Sequence, residues 1–146
     1  MASSLISVRG VRKTFGEVCA VDGVDLDIEK GEIFGLIGHN GAGKSTMFKM
    51  LLGLLPATSG EIRINGTAVH GAAFREVRRR IGYLPENVVF YDNLSGLETL
   101  YFFADLKGAP RADALPLLQK VGLGHAANRR VKGYSKGMRQ RLGFAQ

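Results

Sequence analysis

Gly38-His39-Asn40-Gly41-Ala42-Gly43-Lys44-Ser45-Thr46 matches in full the pattern glycine, any four residues, glycine, lysine, and serine or threonine. Its three glycines let the backbone fold into a concave nest without Cβ clashes, so that successive N–H groups point inward at one anion. The stretch reads as a phosphate-binding loop in which Gly38, His39, Asn40, Gly41, Ala42 and Gly43 form the cradle. Lys44 supplies a point charge for β- and γ-phosphates, and Ser45 a hydroxyl ligand for Mg²⁺. Thr46 begins a helix whose positive N-terminal end faces the same anion.

Outward from the loop, Glu32-Ile33-Phe34-Gly35-Leu36-Ile37 is mostly apolar and predicts a buried parallel strand. Strand, loop and helix then stand in the order that a phosphate loop requires. On the other side, Met47, Phe48, Met50, Leu51, Leu52, Leu54 and Leu55 predict a helix apolar on most of its surface, ended by Gly53.

Towards the N-terminus, Ile6 and Val8 alternate with Leu5, Ser7 and Arg9 and predict a strand that turns near Gly10. A second short strand follows, Lys13-Thr14-Phe15-Gly16 is a turn, and Val24, Leu26 and Ile28 alternate with Asp25, Asp27 and Glu29 as a half-buried strand does. Beyond the loop helix, Pro56 to Gly60 is a turn cluster, and Glu61-Ile62-Arg63-Ile64-Asn65-Gly66 reads as a strand closed by Asn-Gly. These segments predict an antiparallel β layer beside the nucleotide core. Ala72 to Arg80 suits a short basic helix, and Ile81-Gly82-Tyr83-Leu84 a strand stopped by Pro85, which leaves Glu86 at a strand end, where α/β proteins keep their ligands.

The remainder is helical. Ser95-Gly96-Leu97-Glu98 fits a capping box, and its helix continues through Thr99 to Leu106 and stops at Gly108. A second helix runs from Ala112 to Val121 and ends at Gly122, with Pro116 either kinking it or delaying its start. After a polar loop with Asn128, Arg129 and Arg130, the segment from Tyr134 to Leu142 opens a last helix with Met138, Leu142 and Ala145 on one face.

Across 146 residues, 45% hydrophobic content is enough for one domain with a core. No stretch approaches the ~18 uninterrupted apolar residues of a membrane span. Met1-Ala2-Ser3-Ser4 followed by Leu5 and Ile6 is too short and uncharged for a secretory signal, so a cytoplasmic chain is expected. Cys19 is the only cysteine, and His39, His70 and His125 are scattered without metal-site spacing. The formal charge of +7 and the Arg78-Arg79-Arg80 cluster invite a nucleic-acid reading. No aromatics are interleaved there to stack bases, so a solvated helix face is expected and nucleic acid is not.

Phe15, the loop, Tyr83-Leu84-Pro85-Glu86 and the Tyr134 to Arg141 segment stand at consistent separations, and together they resemble the ATPase subunit of an ABC transporter. The resemblance covers essentially all of the chain, which matches only the earlier part of such a domain. It implies an α/β P-loop NTPase core with an antiparallel β layer (residues 1–85) and a helical subdomain (residues 86–146), truncated before the second metal-binding strand. It implies ATP and Mg²⁺ as ligands, with Phe15 stacked on adenine and Val18 and Ala20 beside the ring. Ser135 and Gly137 match the family signature Leu-Ser-Gly-Gly-Gln, whereas Tyr134, Lys136 and Met138 replace its Leu, first Gly and Gln. Glu86 stands where the family has a Gln that touches Mg²⁺ and the attacking water. A carboxylate still binds Mg²⁺, with a stronger dependence on the metal because of its extra charge near the γ-phosphate.

The stretch from Tyr83 to Gly96 looks particularly like the ATPase of the exporter-type system that supports copper-site maturation of nitrous-oxide reductase, although nothing in the chain binds copper by itself. The resemblance further implies a second ATPase copy, whose Lys44-held nucleotide Ser135 and Gly137 would face, and a membrane-embedded permease that holds the protein at the inner face of the membrane. The family's Asp-Glu pair after the signature and its later His have no counterpart here, and Leu100 to Asp105, an apolar run reaching an acid, lies inside the capped helix instead. The chain is therefore expected to be a fragment that binds ATP without hydrolysing it, the full-length protein being the ATPase. A nucleotide-binding module without catalysis and an ABC-type ATPase outside transport are the alternatives.

Overall fold

Alternating apolar and polar residues carry Ile6–Phe15 (β1) and Val18–Ile28 (β2) into one long antiparallel pair, with Ile6 opposite Ile28 and Phe15 opposite Val18. The computed structural model describes residues 4–146 and divides after Gly82 into two compact units. The reading of Met1 to Ser3 as too short for a signal lies outside the described residues. In the first unit the expected antiparallel layer is present: Ser59–Ile64 (β3) pairs with β1, and Thr67–Ala68 (β4) with β3, giving the order β2-β1-β3-β4. Asn65 (φ 49°) and Gly66 (φ 75°) make the left-handed two-residue turn that Asn-Gly encodes.

β1 does not turn at Gly10. It bulges there and runs on to Phe15, so Lys13 to Phe15 is strand and not turn. The bulge admits a close backbone approach, since a Cβ on Gly60 would stand 2.4 Å from the Gly10 carbonyl oxygen.

Lys44–Leu51 (α1) lays Met47 and Met50 on Val8, Val11, Val21 and Ile62 of the sheet, which makes the core of this unit. The helix ends before Gly53 (φ 66°), whose missing side chain leaves room for the Phe74 ring at the start of Phe74–Arg78 (α2). α2 is the expected short basic helix, with Arg79 paired to Glu76 at 2.9 Å.

Two expected strands are not formed. Glu32 to Ile37 forms no strand among the described residues, and Ile33 and Ile37 are almost wholly exposed. Ile81 to Leu84 likewise carries no strand. An apolar run records that a segment is suited to burial between neighbours; it cannot supply the neighbour, and a parallel ladder needs one.

In the second unit, Gly96–Lys107 (α3) follows the capping box: Glu98 N–H donates to Ser95 Oγ at 3.2 Å and Ser95 N–H to Glu98 Oε2 at 2.8 Å. Gly108 (φ 68°) ends it as expected. Ala114–Lys120 (α4) begins after a short 3₁₀ turn at Arg111–Asp113, which places Pro116 in its first turn, where a missing N–H costs little. Asp105 closes the apolar run of α3 in an ion pair with Arg111, in a helix as the sequence required. Lys136–Ala145 (α5) buries Leu142 and Ala145, with Met138 packed beside them, against Leu100, Leu118, Leu123, Val131 and Tyr134.

Candidate functional site

Gly41 (φ 86°) and Gly43 (φ 84°) alternate with Ala42 at negative φ, the left-and-right alternation that turns successive backbone N–H groups to one side. Gly43 must also be glycine for space, because a Cβ there would stand 2.2 Å from the Ala20 carbonyl oxygen of β2. The loop is thus pressed directly on the strand that carries Val18 and Ala20. Its curl is completed by Ala42 N–H donating to the His39 carbonyl at 3.2 Å.

Lys44 Nζ lies across this curl and donates to the carbonyls of Gly38 at 2.5 Å and His39 at 2.7 Å. Among the described residues it has no carboxylate partner, so its charge is met only by carbonyl dipoles. α1 starts at Lys44, two residues before the expected Thr46, with Gly43 as its cap; it has no side-chain cap and no acidic residue in its first turn. Its leading N–H groups are therefore free to meet an anion. Ser45 is exposed in that turn, and no hydrogen bond engages its hydroxyl among the described residues. A hard cation such as Mg²⁺ takes oxygen donors of this kind.

Phe15 is 49% exposed at the end of β1, opposite Val18, with Lys13 Nζ 5.2 Å from its ring centroid. It is not a core residue. Ala20 is half-buried behind the loop and Val18 is largely exposed. The first unit thus joins β2 to the loop and α1, with β1 ending at Phe15 and β2 beginning at Val18.

Glu86, Ser135 and Gly137 belong to the second unit. Glu86 is exposed and makes no hydrogen bond among the described residues. Ser135 caps α5, its Oγ accepting from Met138 N–H at 3.2 Å. A Cβ on Gly137 would meet nothing within 4 Å, so no contact among the described residues requires glycine there. Lys136 before it is exposed and has no carboxylate partner among the described residues. Both choices are locally unfavourable: glycine in a helix costs roughly 1 kcal/mol against alanine, and a cation opposes the dipole in a first turn.

The family model described as "ABC transporter" matches residues 21–146. This chain belongs to the ABC transporter family. It is 39% identical over 141 residues to the lantibiotic transport ATP-binding protein SrtF of Streptococcus pyogenes, covering 97% of this chain and 60% of that protein. It is also 39% identical to the bacitracin transport ATP-binding protein BcrA of Bacillus licheniformis, over 99% of this chain and 47% of that relative. A solved structure described as the ATP binding subunit of an ABC transporter superimposes with a TM-score of 0.81 at 32% identity, over 97% of this chain and 60% of that one. The chain thus spans between about half and three-fifths of these ABC proteins, and its α/β fold is that of their ATP-binding subunits.

Within this ABC sequence, Tyr134, expected to stand where the signature has Leu, has a packing role that the motif alone did not disclose. Tyr134 is buried, its hydroxyl donates to the Ala126 carbonyl at 2.7 Å, and burial raises its pKa above the usual phenol value. Asp92, which no motif singled out, pairs with Arg139 of α5 at 2.7 Å. The one sequence signal for Tyr134 was the glycine inside the capping box, Gly96, which faces its ring.

Proposed function

We propose that this chain is the ATP-binding part of an ABC transporter ATPase that couples ATP binding and hydrolysis to transport through a separate membrane subunit. The observation that carries the reading is Lys44 Nζ resting on the Gly38 and His39 carbonyls across a glycine nest, with an uncapped helix N-terminus behind it. A triphosphate offers that ammonium charge-assisted hydrogen bonds in place of two neutral carbonyl contacts. Gly38 through Thr46 cradle the β- and γ-phosphates in this reading, and Phe15 with Val18 and Ala20 takes the adenine.

Magnesium, when bound, would neutralise phosphate charge; Ser45 and Glu86 are the residues that would hold it. The core through residue 85 holds nucleotide. The helical subdomain from residue 86 presents Ser135 and Gly137 to the nucleotide of a second copy, which accounts for a glycine and a lysine that no contact among the described residues requires. A membrane-embedded permease would keep the protein at the cytoplasmic face, and no nucleic acid is involved.

The named relatives favour a peptide antibiotic such as a lantibiotic or bacitracin as cargo of the whole transporter. The copper-maturation proposal rests on the Tyr83 to Gly96 stretch alone and draws no support from those names. In the full-length ATPase, Ser135→Arg should stop phosphate release while leaving ATP affinity within about threefold. Undiminished turnover in that variant would remove Ser135 from the reaction.

A further inference from the structure

The segment that leads into α3 and the segment that leads into α5 are laced together. Leu97 N–H donates to the Ala127 carbonyl at 2.9 Å and Gly96 N–H to Arg129 at 3.3 Å. In the other direction, Val131 N–H donates to Leu94 at 2.8 Å and Lys132 N–H to the Asp92 carbonyl at 3.1 Å, with a bridge between Ser95 and Arg130. This ladder stops short of α5 itself. At its last rung the Asp92 side chain reaches past it to Arg139 Nη2, 2.7 Å away.

Arg139 is not an arbitrary residue of that helix. Its backbone N–H donates to the Ser135 carbonyl at 2.9 Å, so it lies one turn beyond Ser135 in the same column. The other cations of the segment are differently engaged: Arg141 donates to the Val121 and Gly122 carbonyls, and Lys136 has no carboxylate partner among the described residues. Asp92 is more than half exposed, and a pair of this kind adds little to stability. What it adds is direction, since a charge-assisted bond from one Arg139 N–H to one Asp92 oxygen favours one placement of the first turn of α5.

We propose that Asp92 and Arg139 are a positioning pair that sets the aim of Ser135. The proposal rests on the reading that Ser135 meets the nucleotide of a second copy. The pair touches no nucleotide; it ties the Ser135 turn to the segment that opens α3, so that a displacement of one is carried to the other.

The test is ATP turnover by the full-length ATPase, read as kcat and KM together with the melting temperature. Asp92→Asn should lower kcat about tenfold, less than the roughly hundredfold that a misplacement of about 1 Å can cost. KM for ATP and the melting temperature should not move, because ATP is held by Lys44 of the other copy. Arg139→Lys, which keeps the charge, should lose less than Arg139→Met, and the exchange of Asp92→Arg with Arg139→Asp should recover most of the lost turnover. Unchanged kcat in Asp92→Asn, a loss that merely follows the melting temperature, or an exchange no better than the single variants would each overturn the proposal while the nucleotide reading stands. Full turnover in Ser135→Arg would remove that reading, and the proposal with it.

Discussion

The phenol oxygen of Tyr134 occupies the space that a side chain on Gly96 would need: a Cβ there would stand 2.2 Å from the oxygen and 3.1 Å from Cζ. Tyr134 is locked in place because its hydroxyl donates to Ala126, so the clash has no cheap escape. Gly96→Ala should therefore destabilise the protein by about 1–3 kcal/mol, the range for overpacking. Tyr134→Phe removes the oxygen and its hydrogen bond to the Ala126 carbonyl, which still accepts the Arg129 N–H at 3.0 Å, at about 0.5–1.5 kcal/mol. In the double variant the methyl takes part of the vacated space, so the two costs should sum to less than their separate values. Denaturant titration of the four proteins checks this, and strict additivity would mean that the two residues do not meet.

Glu98 has its carboxyl held below the usual range, first because it accepts the Ser95 backbone N–H in the capping box. A carboxylate whose pKa is lowered on folding contributes stability that is present above its unfolded pKa and lost as pH falls through the folded one. Glu98→Gln keeps an acceptor but no charge. The variant should melt below the parent at neutral pH, and the gap should close as pH falls through and below the carboxylate range. Asp27, lowered by Arg9, and Asp105, lowered by Arg111, titrate in both proteins and cancel in the comparison. A gap that stays constant with pH would show that the charge contributes nothing to the cap.

Phe15 offers half of its surface at the end of β1, beside an exposed Val18. Stacking of a base on an aromatic ring is worth roughly 1–3 kcal/mol by alanine substitution. Phe15→Ala should therefore weaken ATP by about five- to a hundredfold and leave inorganic triphosphate unaffected, as read by competition titration. An equal loss for both ligands would mean that the substitution disturbs the loop through β2.

What was legible in the sequence was what neighbouring residues decide among themselves. Ser95 with Glu98, Gly108, and the Asn65-Gly66 turn each encode a local hydrogen bond or a left-handed backbone, and all are found where expected. The phosphate loop belongs to the same class, since its glycines fix its shape. Gly10 misled because the same glycine serves a turn or a bulge, and the choice is made by Gly60 some fifty residues away (Gly60 Cβ to Gly10 oxygen, 2.4 Å). The runs Ile33 to Ile37 and Ile81 to Leu84 were read correctly as apolar, but a strand also needs a partner, which no short window contains. Asp92 and Arg139 lie 47 positions apart, and only the packing of the second unit makes them a pair.

The central claim is that Lys44 holds a nucleotide triphosphate over the Gly38 to Gly43 nest. Calorimetric titration of the purified chain with MgATP, parent against Lys44→Ala, tests it most directly. The parent should bind, and the variant should lose at least tenfold in affinity, since hydrogen bonds to a charged group contribute about 1.5–3 kcal/mol. Equal affinity in the two proteins would contradict the account.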